Sequence, residues 1–492
     1  MRLLLLAGWL FLLGSGLLAK QREPANIVLI LADDLGYGEL GCYGQRKIRT
    51  PRIDRLAGQG LRFTQAYSGA PVCAPARCVL MTGRHSANAE IRGNREVKPE
   101  GQLPLSEQSV TLPALLKAKG YATGAIGKWG LGPVGSSGDP NAKGFDLFFG
   151  YNCQREAHSY YPDHLWRNRE RVELDNGKIP GHARLDVAPE NYDRFRGREY
   201  APDLMMREAE RFLRERRERR ERREHREHRE RPFFLYLPFV EPHLAMQPPG
   251  EWVERYPEDW DDAPYLGQRG YLPHPRPRAG YAAMISDLDE HVGRIVDLID
   301  ELDLGENTLI LFTSDNGATH DVGGVDTEFF QSVGPLRGRK GSVYEGGLRV
   351  PLIARWTGVI EPDTTSDHVC AFWDLMPTFA DLAGAPAPAQ CDGQSFLPAL
   401  TGRGEQPIHE YLVWEFHGYG GQKAVRLGDW KGVLRDIHKG GEQIELYNLK
   451  DDLGEAHDVA AEHPEIVERI ARIFATDRTP NEQFPMERFD PS

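Results

Sequence analysis

The sequence predicts an α/β protein with a large domain, built on a mostly parallel central sheet flanked by helices, and a small C-terminal domain with an antiparallel sheet and one helix. Three observations predict this fold. Long apolar runs are continuous rather than alternating, which is typical of strands covered on both faces. Segments with helical spacing separate these runs, and such alternation favours a parallel sheet. From about residue 401, short strands joined by short turns replace this pattern.

Four apolar runs end abruptly in polar residues, and each predicts a buried strand. The runs are NIVLILA before Asp33 and Asp34, YATGAIG before Lys128, FFLYLPFV before Glu241 and His243, and NTLILFTS before Asp315 and Asn316. Ligands of parallel sheets lie beyond the carboxyl ends of the strands, so we expect these side chains to converge on one crevice. For any single run, the alternative is a pair of polar residues that only turns the chain. Four repetitions of the pattern favour a site.

Helices are predicted between the strands. TPRIDRLAGQG has Thr50 as a cap and Pro51 in its first turn, SVTLPALLKAKG ends in glycine, and YAAMISDLDEHVGRIVDLIDELDLG carries apolar residues at helical spacing. Residues 214–231 form a low-complexity charged run, in which opposite charges three and four residues apart would support an exposed helix. Because glutamates neutralise many of its arginines, we interpret the run as a solvated insertion rather than a basic binding patch.

The domain boundary is predicted near residue 400, so that the large domain spans 20–400 and the small one 401–492. In the second part, EYLVWEF, QKAVRLGDWKGVLRD and IELYNL have the pattern of short strands, and HPEIVERIARIFATD that of a helix.

The N-terminus has the pattern of a secretory signal. Arg2 precedes an apolar run that reaches Ala19, and Lys20 follows. This pattern predicts a signal peptide over 1–19, with an uncleaved anchor as the alternative. A second apolar segment of spanning length is absent from the sequence, so we expect a mature chain without a transmembrane segment. The sequence has no Asn-x-Ser/Thr acceptor, which favours a bacterial periplasmic or extracellular protein.

Charge and cysteine content narrow the classes of function. The net charge of -13 argues against nucleic-acid binding, because phosphates would repel the chain. An anionic substrate would need a local basic pocket. Six cysteines are too few for a disulfide scaffold in a chain of 492 residues, although a bridge between Cys370 and Cys391 is plausible.

The polar strand ends suggest a cation that binds an anionic substrate. The candidate ligands offer carboxylate and amide oxygens and include no histidine, which suits Ca²⁺ or Mg²⁺ better than zinc; they are Asp33, Asp34, Asp315 and Asn316. The candidate positive or hydrogen-bonding partners of the anion are Arg77, Lys128, His243 and Lys340. Taken alone, each of these partners would more often be structural. Cys73, as an ordinary thiol, could be a nucleophile, a disulfide partner or an inert core residue.

The segment CAPARCVLMTGR, which begins at Cys73, resembles the signature of the type I sulfatases, C-x-P-x-R followed by Thr-Gly. Further segments resemble that family in the same order: LILADDLGYGELGCYG, AIGKWGLG, SDNGA, LRGRKGSVYEGGLRVP, DLMPTFADLAG and LYNLKDDLGEAHDVA. The resemblance covers nearly the whole mature chain and is far more specific than a lone C-x-P-x-R. It implies an alkaline phosphatase-like fold and a sulfuric ester hydrolase similar to the arylsulfatases.

The resemblance also implies a modified nucleophile. Cys73 would be oxidised after translation to formylglycine by a maturing enzyme, the formylglycine-generating or sulfatase-maturing partner. The hydrated aldehyde would attack sulfur and leave a covalent sulfate on residue 73, which its second hydroxyl would then expel.

The remaining site residues take roles from the same resemblance. Asp33, Asp34, Asp315 and Asn316 would hold one Ca²⁺ together with an oxygen of residue 73. Arg77 would steady the formylglycine, Lys128 and Lys340 would contact sulfate oxygens, and His243 would protonate or hydrogen-bond the leaving oxygen.

One position departs from the family pattern. Many relatives carry histidine two residues after the lysine, whereas this chain has Gly130 in GKWGLG. His85 and His320 are possible substitutes as the base. The change could also widen the pocket for a bulkier substrate.

The leading hypothesis is a calcium-dependent sulfatase acting on sulfated carbohydrates. Two alternatives stay open at the level of the sequence: a phosphonate monoester or phosphodiester hydrolase of the same superfamily, and an inactive protein that binds sulfated glycans.

Overall fold

A ten-stranded sheet forms the centre of the large domain. The computed structural model describes residues 24–179, 181, 189–224 and 231–490, with side chains described throughout except at 189–191 and 219–224. The predicted signal peptide, 1–19, lies outside these residues.

The strands are β1 Asn26–Ala32, β2 Leu61–Phe63, β3 Ala66–Tyr67, β4 Ala122–Lys128, β5 Leu147–Tyr151, β6 His164–Arg167, β7 Glu170–Glu173, β8 Phe233–Pro238, β9 Thr308–Ser314, β10 Leu352–Arg355, β11 Thr364–Ser366, β12 Cys370–Ala371, β13 Leu412–Phe416, β14 Gln422–Leu427, β15 Trp430–Leu434 and β16 Ile444–Asn448. The α-helices are α1 Pro51–Gly58, α2 Cys73–Thr82, α3 Leu112–Ala118, α4 Ala201–Glu224, α5 Gly250–Val253, α6 Pro277–Glu301, α7 Thr327–Phe330, α8 Glu345–Leu348, α9 Leu375–Leu382, α10 Leu397–Thr401 and α11 Pro464–Thr476.

The four predicted strands lie side by side in the middle of the main sheet. Its order is β11-β2-β10-β9-β1-β8-β4-β5-β6-β7, and the five strands from β9 to β5 are parallel. Strands β1, β4, β8 and β9 are buried along their whole length, as their continuous apolar sequences predict. Their carboxyl ends therefore meet at one edge of the sheet.

Helices cover both faces of the sheet, and successive residues of β1 enter opposite cores. Ile27 and Leu29 pack in the core that contains residues of α2, α3 and α9. Val28 and Ile30 pack in the other core, with residues of α1, α4 and α6. This two-sided burial confirms the predicted α/β class.

The C-terminal part contains the predicted antiparallel sheet and helix. Strands β13, β14, β15 and β16 pair in sequence order, and α11 packs on this sheet through Ile470 and Phe474. The fold prediction is therefore confirmed here as well, while the boundary at residue 400 stays a prediction.

The charged run is the continuation of a helix that packs on the main sheet. Met205, Phe212 and Leu213 of α4 are buried, and the run that begins at residue 214 extends the same helix to Glu224. Residues 225–230 lie outside the described part of the chain. None of the helices in the described part is long and apolar enough to span a membrane.

Two local predictions need correction. Thr50 is the N-cap residue of α1, as predicted, but its hydroxyl makes no capping hydrogen bond; it accepts from Gly41 N at 2.8 Å and donates to Asp54 at 3.2 Å. The bridge between Cys370 and Cys391 does not form either, since all six cysteines are free thiols. The thiol of Cys391 instead lies 3.3 Å from the carbonyl of Gly83.

Candidate active site

The acidic ends of β1 and β9 meet directly. The backbone amide of Asp34 donates to Asp315 Oδ1 at 3.1 Å, and Asn316 Nδ2 donates to Asp34 Oδ1 at 2.8 Å. Asp34 adopts a left-handed backbone conformation with φ of 67°, which turns the chain sharply at the end of β1. Asp33, Asp34, Asp315 and Asn316 are all almost completely buried.

This group has the donor chemistry of a cation site. One ligand atom from each of Asp33, Asp34, Cys73 and His243 lies within 4.8 Å of the others. Asn316 Oδ1 is buried and has no hydrogen-bond partner among the described residues. An unpartnered amide oxygen beside buried carboxylates fits a hard cation, which prefers oxygen ligands. The residues present therefore fit the divalent cation that the sequence resemblance implies.

Helix α2 presents Cys73 and Arg77 to the carboxylates. Cys73 is the first residue of the helix, and its sulfur lies 3.5 Å from Asp33 Oδ1 and 4.0 Å from Asp34 Oδ1. Arg77, one turn later, donates to Asp315 Oδ2 through Nε at 3.1 Å and Nη2 at 2.9 Å. The same guanidinium donates to the carbonyl of Lys128 at 2.5 Å. Arg77 thus ties α2 to the ends of both β9 and β4.

Two lysines approach the carboxylates from different segments. Lys128, the last residue of β4, forms a buried ion pair with Asp33 Oδ2. Lys340 Nζ lies 2.7 Å from Asp34 Oδ2 and 3.6 Å from Cys73 Sγ. Both ammonium groups are therefore next to the candidate nucleophile or its acidic neighbours.

His243 completes the cluster in a defined tautomer. Its Nδ1 lies 2.6 Å from the carbonyl of Leu244, which can only accept, so Nδ1 carries the proton and Nε2 is the acceptor. Nε2 receives Lys340 Nζ at 3.2 Å. Burial and the adjacent Lys340 lower the pKa of His243 to about 4.

The local charges hold the central carboxylate ionised. Burial by itself would raise the pKa of Asp33, but Lys128, His243 and Arg77 more than offset burial and lower the pKa well below its ordinary value. Three carboxylates stand opposite Arg77, Lys128 and Lys340, and burial raises the pKa of Asp315 to about 7. The set is therefore close to neutral or slightly positive near pH 7. A bound divalent cation would make it net positive, which suits an anionic substrate.

All nine residues selected from the sequence therefore converge at one edge of the sheet, whereas only one of the two suggested substitute bases lies nearby. His85 lies against Asp477 at 3.2 Å and Asn88 at 3.0 Å, away from the cluster. His320 is the nearby one. It lies two residues after Ala318, whose carbonyl accepts a hydrogen bond from the backbone amide of Lys340.

The segment after β5 was missed by the sequence analysis. The ring of His158 stacks on that of His243, with centroids 4.4 Å apart. In the sequence, Asn152 and Gln154 lie between the end of β5 and His158. The sequence did carry a signal, because LFFGY is an apolar run that ends at polar Asn152, like the four runs that were used.

The chain is similar to known proteins in family, sequence and structure. The family model described as Sulfatase matches residues 25–385, and the model described as N-sulphoglucosamine sulphohydrolase, C-terminal, matches residues 339–476. Human arylsulfatase A is 35% identical over 444 residues, covering 86% of this chain and 76% of the relative. N-acetylgalactosamine-6-O-sulfatase of Bacteroides thetaiotaomicron is 30% identical, covering 94% of each chain. The crystal structure of Ps i-CgsB in complex with k-i-k-neocarrahexaose has a TM-score of 0.75 and 27% identity, covering 93% of this chain and 94% of that one.

Proposed function

The chain belongs to the sulfatase family and hydrolyses sulfate esters, and from this premise we propose that its substrates are sulfated carbohydrates, cleaved with formylglycine at position 73 and one Ca²⁺. The observation that carries the proposal is the convergence of Cys73, three carboxylates, Asn316 and two lysines at one sheet edge. The carbohydrate class is supported by a relative named for N-acetylgalactosamine 6-O-sulfate and by the neocarrahexaose complex.

Four residues would hold the cation: Asp33, Asp34, Asp315 and Asn316. When bound, Ca²⁺ supplies a Lewis acid that polarises oxygens of the sulfate ester. Arg77 keeps Asp315 in place through two hydrogen bonds. Because these groups are buried and already oriented, little reorganisation is needed when charge develops on the substrate.

Formylglycine supplies a hydrated aldehyde as the nucleophile toward sulfur. The position of residue 73 at the start of α2 directs its side chain at Asp33, Asp34 and Lys340. Lys128 and Lys340 are the cations that would bind the oxygens of the sulfate group.

His243 and Lys340 are assigned to the leaving oxygen. Their polar atoms lie 3.2 Å apart, and the proton of Nδ1 is committed to the carbonyl of Leu244. Nε2 is thus held as an acceptor for Lys340 Nζ, and the Lys340 ammonium group is the donor that can hydrogen-bond the oxygen that departs.

The test begins with the state of residue 73. The chain is expressed with a sulfatase-maturing enzyme, and the peptide that contains residue 73 is analysed by mass spectrometry. We expect the mass of formylglycine or its hydrate, and an unmodified thiol in a preparation that releases sulfate would overturn the proposed nucleophile.

The matured protein is then incubated with 4-nitrophenyl sulfate and a panel of sulfated saccharides in Ca²⁺. We expect sulfate release, with Cys73→Ala as the inactive control. Matched phosphate and phosphonate monoesters are run beside them, and faster turnover of these esters would reverse the assignment. Release from the aryl sulfate alone would contradict the carbohydrate class.

Export stays part of the proposal. The pattern of residues 1–19 supports a cleaved signal peptide and a periplasmic or extracellular enzyme. Mass spectrometry of the N-terminal peptide from the producing cell tests it, and recovery of a cytoplasmic chain that retains this segment would contradict it.

A further inference from the structure

The segment after β5 runs beside the active-site end of β4. Beyond the last residue of each strand, the backbone amide of Trp129 donates to the carbonyl of Tyr151 at 2.9 Å, and that of Gly130 to the carbonyl of Asn152 at 3.2 Å. Lys128, whose ammonium group pairs with Asp33, immediately precedes these residues. The ladder between the two strands therefore places Asn152 next to the candidate active site.

Gln154 occupies the space that a side chain at residue 130 would take. A Cβ atom built on Gly130 would lie 2.4 Å from both Cγ and Nε2 of Gln154. Gly130 also has φ of +86°, a backbone conformation that residues other than glycine rarely adopt. Residue 130 lies two positions after Lys128. Because it has no side chain, the amide of Gln154 can occupy the space beside it.

Both amides of this segment are buried with unused hydrogen-bonding atoms. Asn152 is 1% exposed and Gln154 is 5% exposed. Within the described residues, neither Oδ1 nor Nδ2 of Asn152 has a hydrogen-bond partner, and neither does Nε2 of Gln154. Buried polar atoms are nearly always paired, so unpaired atoms beside a reaction site point to a ligand.

The chemistry of the unused atoms indicates what the ligand offers. Gln154 presents a donor, which matches an oxygen that can only accept, such as a sulfate oxygen. Asn152 presents one donor and one acceptor, which together match a hydroxyl group. A sugar that carries a sulfate ester next to a free hydroxyl has both features.

We propose that Gln154 and Asn152 are substrate-binding residues, with Gln154 Nε2 donating to the sulfate ester and the Asn152 amide binding the hydroxyl beside it. This inference rests on the proposed function. An amide cannot accept a proton at ordinary pH, so this position supplies a fixed hydrogen bond and not a base. The far end of the segment contacts the site too, through His158 stacked on His243.

Apolar variants of similar volume test the roles: Gln154→Met and Asn152→Leu, assayed in the matured full-length enzyme with Ca²⁺. The substrates are 4-nitrophenyl sulfate, which has no neighbouring hydroxyl, and the galactose monosulfate that the wild type hydrolyses fastest among the 2-, 3-, 4- and 6-sulfates. Gln154→Met should lower kcat/KM about 10- to 100-fold on both substrates, as expected for a lost hydrogen bond to a charged group. Asn152→Leu should lower it about 10-fold on the sugar and leave the aryl sulfate within about 2-fold.

The control is Asn26→Leu. Asn26 is equally buried, but it lies at the opposite end of β1 and both of its amide atoms have partners, Thr308 Oγ1 and the amide of Phe233. Urea unfolding should show lower stability for Asn26→Leu with unchanged KM. Gln154→Met and Asn152→Leu should be at least as stable as the wild type without substrate, because they remove polar atoms that have no partner to lose.

Each result separates the inference from the proposed function. A wild type that releases sulfate from none of the substrates overturns the proposed function, and the inference with it. An active wild type whose Gln154 and Asn152 variants keep kcat/KM on both substrates overturns the inference alone. If both variants lost as much stability as Asn26→Leu, Gln154 and Asn152 would have a structural role. If the wild type hydrolysed the aryl sulfate but none of the galactose sulfates, the assignment of Asn152 to a neighbouring hydroxyl would be overturned.

Discussion

Two buried clusters of oppositely charged side chains in this protein can be compared. They differ in whether all of their buried polar atoms have hydrogen-bond partners among the described residues, and we call a cluster complete when they do. At the active-site edge, Asn316 Oδ1 is unpartnered among the described residues beside the carboxylates of Asp33 and Asp34. The second cluster surrounds Glu415 on β13, whose carboxylate receives Arg92 at 2.5 Å, Lys423 at 2.9 Å and Arg478 at 3.0 Å.

Backbone carbonyls complete the cluster around Glu415. Besides the carboxylate, Arg92 donates to the carbonyl of Thr479, Lys423 to that of Phe474 and Arg478 to that of Phe489. In the described part of the chain, Arg77 is the one active-site cation that also donates to a backbone carbonyl, that of Lys128, whereas the lysine ammonium groups at Asp33 and Asp34 pair with side chains. A complete cluster stabilises the fold, whereas an incomplete one is suited to a cation and a substrate.

The largest expected effect is the loss of turnover when the active-site cluster is mutated, an effect that mutation of the Glu415 cluster should not have. Cys73→Ala removes the nucleophile, so turnover of sulfate esters should fall about 10⁴-fold or more, as when the nucleophile of other hydrolases is removed. The unfolding free energy should fall by no more than about 1 kcal/mol, since only one small side chain is shortened. Steady-state kinetics and urea unfolding measure the two quantities, and retained turnover would show that the cluster at Cys73 is not the active site.

Glu415→Gln should show the reverse pattern. It leaves Arg92 and Lys423 with a neutral partner, while Arg478 keeps its ion pair with Asp490. Breaking a buried ion pair costs about 3–5 kcal/mol. We therefore expect a large loss of unfolding free energy, with kcat and KM of the folded fraction unchanged. Equal stability with reduced kcat would contradict the distinction between the clusters.

The difference between the clusters also explains what the sequence could predict. Asp33, Lys128 and Asp315 each follow a continuous apolar run, so local pattern and the rule for parallel sheets together place them at one edge. Arg92 and Glu415 are separated by 323 residues, and the neighbours of each give no sign of the other. A cluster that depends only on tertiary packing leaves no local pattern.

The wrong and missed assignments have equally local causes. The hydroxyl of Thr50 is used by Gly41 and Asp54, a competition that the capping pattern does not contain. Asn152 and Gln154 follow the strand run LFFGY, whereas the four runs that predicted the site end in acids, a lysine or a histidine. Amides at strand ends merit the same consideration as charged residues.

The third effect is a dependence of stability on acid pH. Burial would raise the pKa of Glu415, but Lys423, Arg478 and Arg92 more than offset burial and lower it to about 2. A carboxylate with a lowered pKa stabilises the fold fully above its ordinary value of 4.5, and this contribution is lost as the pH falls toward 2. The advantage of the wild type over Glu415→Gln should shrink by about 1.4 kcal/mol per pH unit below 4.5, or about 3 kcal/mol in total. Urea unfolding of both proteins between pH 6 and pH 3 should show about 2 kcal/mol of this loss. A constant difference would contradict the assignment.

Removal of metal tests whether only the active-site cluster is completed by a ligand. A cation that binds the folded chain at a concentration of about 100 times its Kd stabilises it by about 2.7 kcal/mol, so chelation should lower the melting temperature and abolish turnover together. Ca²⁺ should restore both. Asp34→Asn removes one charge from the candidate ligands, and its melting temperature should respond less to chelator or added Ca²⁺. Glu415→Gln should melt at a lower temperature yet show the full response to Ca²⁺, because its defect lies in the complete cluster. If chelation lowered the melting temperature of Asp34→Asn as much as that of the wild type, the cation would bind elsewhere, and the unpartnered oxygen of Asn316 would need a different explanation.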